Sequence, residues 1–188
     1  MERLEIEHCL ETMSILVDSA EQRTERAVKR YSAFTVPYRF QKIDFGDYTY
    51  NFQLPNGSEL WEIGARVFPS VTIERKMNLE ELSRCFTEKR DPKSADLGVR
   101  NRFEREFVRA SENNASVYLL IEDGSWEKLI NGKYDTLYNP KAFLASFTAW
   151  MARYGYKPIF VKKELSGKLI QEILYRELKE RLERGEYG

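Results

Sequence analysis

A single histidine, His8, stands in a chain of 188 residues, and it lies in a charged N-terminal segment. A catalytic His triad or a multi-histidine metal centre is thereby nearly excluded. Any metal chemistry has to rest on carboxylates, which points to Mg2+ or Mn2+ rather than zinc. Cysteine is almost as scarce: Cys9 and Cys85 lie far apart without a Cys-x-x-Cys. That argues against a zinc ribbon or a disulfide scaffold and fits a reducing cytoplasm. Long apolar runs are missing too. The greasiest stretch, Phe143 to Ala152, is interrupted by Ser146 and Thr148 and is too short for a bilayer. The first seven residues are too acidic for a signal peptide, so a soluble cytoplasmic protein with no membrane partner is expected. No Walker loop or Rossmann glycine pattern occurs, and no nucleotide cofactor is expected. Charge of one sign is not in excess either. With 30 acidic and 30 basic residues, attraction to nucleic acid has to come from local segregation of charge.

What is present is ample apolar material, 42% hydrophobic with 13% aromatic, enough for the core of one domain. After a polar lead-in over 1–12, Ser14 to Asp18 reads as a first strand and Ala20 to Tyr31 as a charged helix. Extended segments follow at 38–43 and 48–53. A strong hairpin turn over 54–58 then leads back through 60–63 to the β-branched run Val71-Thr72-Ile73. Asn78 and Glu81 form a capping box for a helix reaching about Lys89. A second helix is expected from about Ala95 to Ser111, with Val99, Phe103 and Phe107 as its core stripe. Val117 to Ile121 reads as a buried strand, and 124–138 as a loop or a short helix. Asn139-Pro140 and Gly155 bracket a long helix, followed by a strand over 157–161 and a last helix from Ser166 to about Glu183. Strand, helix and strand in succession imply parallel pairing. The fold class is α/β, a mixed β-sheet flanked by helices.

The stretch Ile73-Glu74-Arg75-Lys76 carries the chemistry. Side chains two apart on a strand share a face, so Glu74 and Lys76 point one way and Arg75 the other. A carboxylate beside an ammonium serves hydrolysis when one holds a metal and the other handles a water or a developing charge. Asp47, in Gly46-Asp47-Tyr48, is the candidate second acid on a neighbouring strand; otherwise it is a turn residue. Asp18, at the end of the first strand, is either a further site acid or, with Ser19, the cap of the next helix. Glu80 is free to point toward Glu74 and Lys76 once Glu81 is occupied as a cap. Glu122 and Asp123 read as strand termination. The densest basic region comprises Arg84, Lys89, Arg90, Lys93, Arg100, Arg102, Arg105 and Arg109. It either tracks phosphates or forms a solvated face paired with Glu88, Glu104 and Glu106.

The order Asp18, then Gly46-Asp47-Tyr48, then Glu74-Arg75-Lys76-x-x-x-Glu80 resembles the XPF-type nuclease family. Its members carry an Asp at the end of the first strand, a Gly-Asp-Tyr, and then Glu-Arg-Lys-x-x-x-Asp. The resemblance covers about Ser14 to Val161 and implies a restriction-endonuclease-like α/β core. It departs from the family at the last acid, where Glu80 stands for the usual Asp and Glu81 leaves the alignment ambiguous by one. It also departs in having no paired helix-hairpin-helix module and no helicase region. The implied protein is a stand-alone nuclease domain over 1–188, with a core of about 14–161 and a C-terminal helix of about 166–184, of a sort found in bacteria and phages. By resemblance, Asp47 and Glu74 hold Mg2+ or Mn2+, with Asp18 and Glu80 supporting the site or a second ion. Lys76 orients water or stabilises the transition state, and Arg75 is structural, tying down Glu80 or another acid. The implied activity is metal-dependent endonucleolytic cleavage of branched, flapped or forked DNA in repair, recombination or phage DNA processing, leaving a 5′-phosphate. DNA is the implied partner, and the amphipathic last helix allows a homodimer. The alternative is a non-catalytic DNA-binding partner subunit of the same fold.

Overall fold

The computed structural model describes residues 1–88 and 101–187. The chain is α/β, a mixed β-sheet flanked by helices, and it divides into two compact units. One comprises Met1–Val71 with Glu164–Gly188, the other Thr72–Lys163.

In the first unit, the polar lead-in is helix α1 (Arg3–Glu11), and the apolar run after it is strand β1 (Ser14–Asp18). Helix α2 (Glu25–Tyr31) starts later than expected because Thr24 is its cap, with Oγ1 accepting the Ala27 N–H at 3.2 Å. Neither Asp18 nor Ser19 caps it, which removes the capping alternative for Asp18. Strands β2 (Tyr38–Gln41) and β3 (Tyr48–Asn51) flank β1. β1 pairs parallel with β2, Val17 opposite Phe40, and antiparallel with β3, Val17 opposite Tyr48. Central placement explains why Ile15, Leu16 and Val17 are fully buried. The hairpin turn closes with a single antiparallel bridge, Gln53 to Glu59. Residues 60–63 do not continue as a strand. Side chains hold that segment instead: Asn51 accepts the Trp61 N–H at 2.8 Å, and Gln41 donates to the carbonyls of Glu62 and Ala65 at 2.9 and 2.8 Å.

Helix α7 (Ser166–Glu183) packs on α1, α2 and β3 through Ile170, Leu174, Leu178 and Leu182, all buried. Its first turn comes very close to the end of α2. A Cβ on Gly167 would lie 2.3 Å from the Arg30 carbonyl oxygen and 2.9 Å from the Ala33 Cβ. Gly167→Ala is therefore expected to cost about 1–3 kcal/mol, the usual penalty of overpacking, read as a lower denaturation midpoint in urea. An unchanged midpoint would show that α7 can back away freely. The C-terminal tail, which the sequence left unmarked, is also anchored. The Tyr187 hydroxyl lies 2.6 Å from that of Tyr50 and 2.8 Å from Ser70 Oγ, and its ring meets Phe52 edge-on at 5.2 Å.

In the second unit, strand β5 (Ser116–Glu122) lies between β4 (Val71–Lys76) and β6 (Lys157–Val161). β5 and β6 are parallel, Leu120 opposite Ile159, as the strand–helix–strand order predicts. The connection holds a short helix α5 (Trp126–Ile130) and the long α6 (Pro140–Tyr154). α6 has the ends read from its sequence: Asn139 accepts the Ala142 N–H at 3.1 Å, and Gly155 turns the chain in the left-handed region at φ 65°. Its stripe Phe143, Phe147 and Trp150 is buried. Phe86 of α3 (Leu79–Thr87) reaches Trp150 at 4.3 Å between ring centres, and Phe103 of α4 (Arg102–Glu112) does so at 5.8 Å. The start of α4 is set by Asn101, whose Oδ1 accepts the Glu104 N–H at 2.9 Å. The same side chain donates to the α3-terminal carbonyls of Cys85 at 2.8 Å and Glu88 at 3.3 Å, so one residue caps two helix ends. Val99, Lys89, Arg90, Lys93 and Arg100 lie outside the described residues. Among the described residues no helix is long and apolar enough to cross a membrane.

Candidate active site

Strand β4 ends as its period demands. Glu74 and Lys76 share a face, with Lys76 Nζ 2.5 Å from Glu74 Oε1. Arg75 turns the other way, toward Glu122 on β5, 3.7 Å off. Glu74 is only 5% exposed, and its Oε2 finds no hydrogen-bond donor among the described residues. Burial pushes its carboxyl up to about 8; the Lys76 ammonium opposes the rise and the neighbouring Glu106 carboxylate adds to it. Lys76 also stands 4.7 Å above the ring of Phe103 on α4, a cation–π contact that fixes where the ammonium points. Cys85, on α3, is held as a thiol: burial pushes it up to about 11, Lys76 pulls it back, and Glu81, Glu74 and Glu88 raise it further.

At the start of α3, Asn78 accepts the Glu81 N–H at 2.8 Å, and the Glu81 carboxylate reaches back to the Met77 N–H at 2.5 Å. Half of the capping box is thus realised: Asn78 caps the helix, while the Glu81 side chain takes the N–H of Met77, one residue before the cap. Glu80 is left to accept the N–H of Asp135 at 3.1 Å, which fastens the loop before α6 to the first turn of α3.

In the first unit, Asp18 and Asp47 meet through the backbone, the Asp18 N–H donating to the Asp47 carbonyl at 2.8 Å. The Asp18 carboxylate, 8% exposed, accepts the Ile43 N–H at 3.1 Å and the Lys42 ammonium at 3.2 Å. Lys42 carried no signal in the sequence as a partner of Asp18. Asp47 is half-buried and follows Gly46, whose φ of 79° makes the turn into β3. The tyrosine of Gly46-Asp47-Tyr48 is structural. Its hydroxyl meets buried Arg30 at 2.9 Å and Glu21 at 3.3 Å, and burial keeps it protonated well beyond its ordinary range.

Of the basic residues, Arg84 and Arg102 are exposed while Arg105 and Arg109 are half-buried. Within the alternative of a solvated face paired with Glu88, Glu104 and Glu106, Glu104 is corrected. Glu104 is 1% exposed and turns inward, accepting from the Tyr154 hydroxyl at 2.8 Å and facing Arg153 at 3.3 Å. Glu106 is half-buried and close enough to Glu74 to oppose its ionisation. Glu106 and Glu122, read from the sequence as a partner of the basic face and as strand termination, are the acids near Glu74 and Arg75. The spacing Phe103–Glu106–Ala110 already placed Glu106 beside buried positions.

Among the described residues no three His, Cys, Asp or Glu side chains gather into a ready metal cage. Glu74 by itself has the character of a ligand for a hard cation, a dry carboxylate oxygen with no donor to satisfy it.

The architecture is the XPF-type nuclease fold. It is shared with XPF from Aeropyrum pernix, which aligns with a TM-score of 0.57 and 16% identity over 93% of this chain and 69% of that one. XPF from the same organism in complex with DNA gives 0.55 and 18% over 90% of this chain and 66% of that one. This chain therefore spans about two thirds of the length of those proteins. At such identities the likeness establishes the fold. No protein-family model matches the sequence, and no curated protein does.

Proposed function

We propose that this chain is a divalent-metal-dependent endodeoxyribonuclease acting on branched, flapped or forked DNA. The observation that carries the reading is the buried Glu74, with one oxygen on Lys76 and the other without a donor, at a strand end in an XPF-type fold. Glu74 would hold Mg2+ or Mn2+ with Asp47, the partner that the sequence pattern assigns. When bound, such an ion lowers the pKa of a coordinated water and offsets charge on the scissile phosphate. Lys76, steered by Phe103, orients the attacking water or stabilises charge building on the phosphate. Asp18 and Glu80 would support the site or a second ion, each oriented by a backbone N–H on one of its oxygens. Arg75 is a structural residue that ties β4 to Glu122. Arg84 and the α4 arginines, Arg102 foremost, contact the DNA backbone, with little base selectivity and a steep salt dependence.

A panel of single strand, duplex, 5′ and 3′ flaps, splayed fork and four-way junction tests this, with Mg2+, Mn2+ or chelator. Metal-dependent cutting that favours a branched substrate and disappears in Asp47→Ala is expected. Retained DNA binding with no cutting on any substrate would replace the proposal with the non-catalytic partner subunit.

A further inference from the structure

We infer that Tyr38 and Arg23, set around the ring of Phe40 on β2, form a platform for an unpaired DNA strand. The inference rests on the nuclease reading above and assigns the single-stranded arm of a flap or fork to the first unit. β2 stands at the end of the strand order, with β1 as its neighbour. Its alternation divides the side chains between two tasks. Arg39 and Gln41 hold the segment over 59–65 by bonding the carbonyls of Trp61, Glu62 and Ala65. Tyr38 and Phe40 take the other face, with Tyr31 at the end of α2 and Phe34 just beyond it. Tyr38 meets Tyr31, Phe34 and Phe40 at 5.3, 5.8 and 6.0 Å between ring centres, yet it stays 43% exposed. A ring already held by three others loses little freedom when a base stacks on it. Arg23 is exposed, and its guanidinium lies over the Phe40 ring at 4.2 Å. Among the described residues no carboxylate pairs with it. A stacked guanidinium without a counter-charge offers its donors to a phosphate and its plane to a base. The local charge agrees. Between Asp18 and Asp44 the chain carries six basic and two acidic residues, although the two signs balance over the whole. β1 and β2 run parallel with Phe40 opposite Val17 and Gln41 opposite Asp18, so the platform ends one residue short of Asp18. An exposed ring beside a cation is how proteins hold single strands without regard to sequence.

The test is fluorescence anisotropy of the full chain with a labelled oligothymidylate and, separately, a labelled blunt duplex, in chelator so that no strand is cut. Tyr38→Leu keeps apolar bulk without the aromatic face. It is expected to weaken oligothymidylate binding about fivefold or more, with duplex binding and the circular dichroism spectrum unchanged. Tyr38→Phe should bind as the wild type does. Arg23→Gln, at an exposed position, should lower the slope of log affinity against log salt by about 0.7 on the single strand. Wild-type oligothymidylate binding in both Tyr38→Leu and Arg23→Gln would overturn the platform. Equal losses on single strand and duplex, or no oligothymidylate binding by the wild type, would do the same. A second copy of the chain is the rival occupant: a sedimentation mass that falls in Tyr38→Leu, with DNA binding intact, would overturn the platform in its favour. The cleavage panel keeps the two readings apart. Cutting by a chain whose single-strand binding ignores Tyr38 would overturn the platform alone. Tyr38-dependent binding with no cutting on any substrate would support the platform and remove the nuclease activity.

Discussion

Arg75→Met is expected to destabilise the protein by about 3–5 kcal/mol, the cost of stripping one partner from a buried ion pair. Glu122 is fully buried and Arg75 only 14% exposed at its side chain, with 3.7 Å between them. Removing the guanidinium takes a charge partner away from a carboxylate that is fully buried. The pair itself need not be worth that much, since both charges pay for leaving water. Arg75→Met combined with Glu122→Leu should therefore recover most of the loss. Denaturant titrations of the two single variants and the double variant measure the coupling directly. A loss under about 1 kcal/mol in Arg75→Met would mean that other groups carry Glu122.

Glu74→Gln is expected to lower metal-dependent cleavage by about 10^2-fold or more, the scale on which a single electrostatic element of a site is felt. The same substitution has an opposite signature in stability. In the unfolded chain Glu74 ionises near 4.5, and in the folded protein near 8. Between those values the folded state holds a proton that the unfolded state has given up. Wild-type stability therefore falls as pH rises through that window. Glutamine does not titrate, so the variant's Tm relative to wild type should climb between pH 5 and pH 9. Each 1 kcal/mol is worth about 2–4 °C in a chain of this size. Saturating Mn2+ should reverse the trend in the wild type. A Tm difference independent of pH would sink the assignment of a strained, proton-bearing carboxyl at this position.

What could be read in advance was local. α6 carries cap, first-position proline and terminal glycine within one stretch, and its ends fall where those residues stand. The Asn78 cap on the Glu81 N–H and the Glu74–Lys76 pairing also follow from spacings of three and two, because neighbours in sequence are neighbours in space there. The pairings that cross the fold were not legible. Nothing near Asp18 announces Lys42 and the Ile43 amide as its partners, and nothing near Arg75 announces Glu122. Glu104 and Glu106 look like surface acids in an arginine-rich run. Only the packing of α4 shows that one meets Tyr154 and the other meets Glu74. α2 starts later than its charge pattern suggests, with Thr24 as its cap, while the Asp18 carboxylate accepts the Ile43 N–H.

Asn101 bears on how such a protein can change over generations. Because one amide side chain ties the close of α3 to the opening of α4, its three hydrogen bonds stand or fall together. A single substitution there releases two helix ends at once, whereas a change at any one of its partners releases one bond. Drift at this junction is therefore steep at one position and gentle around it.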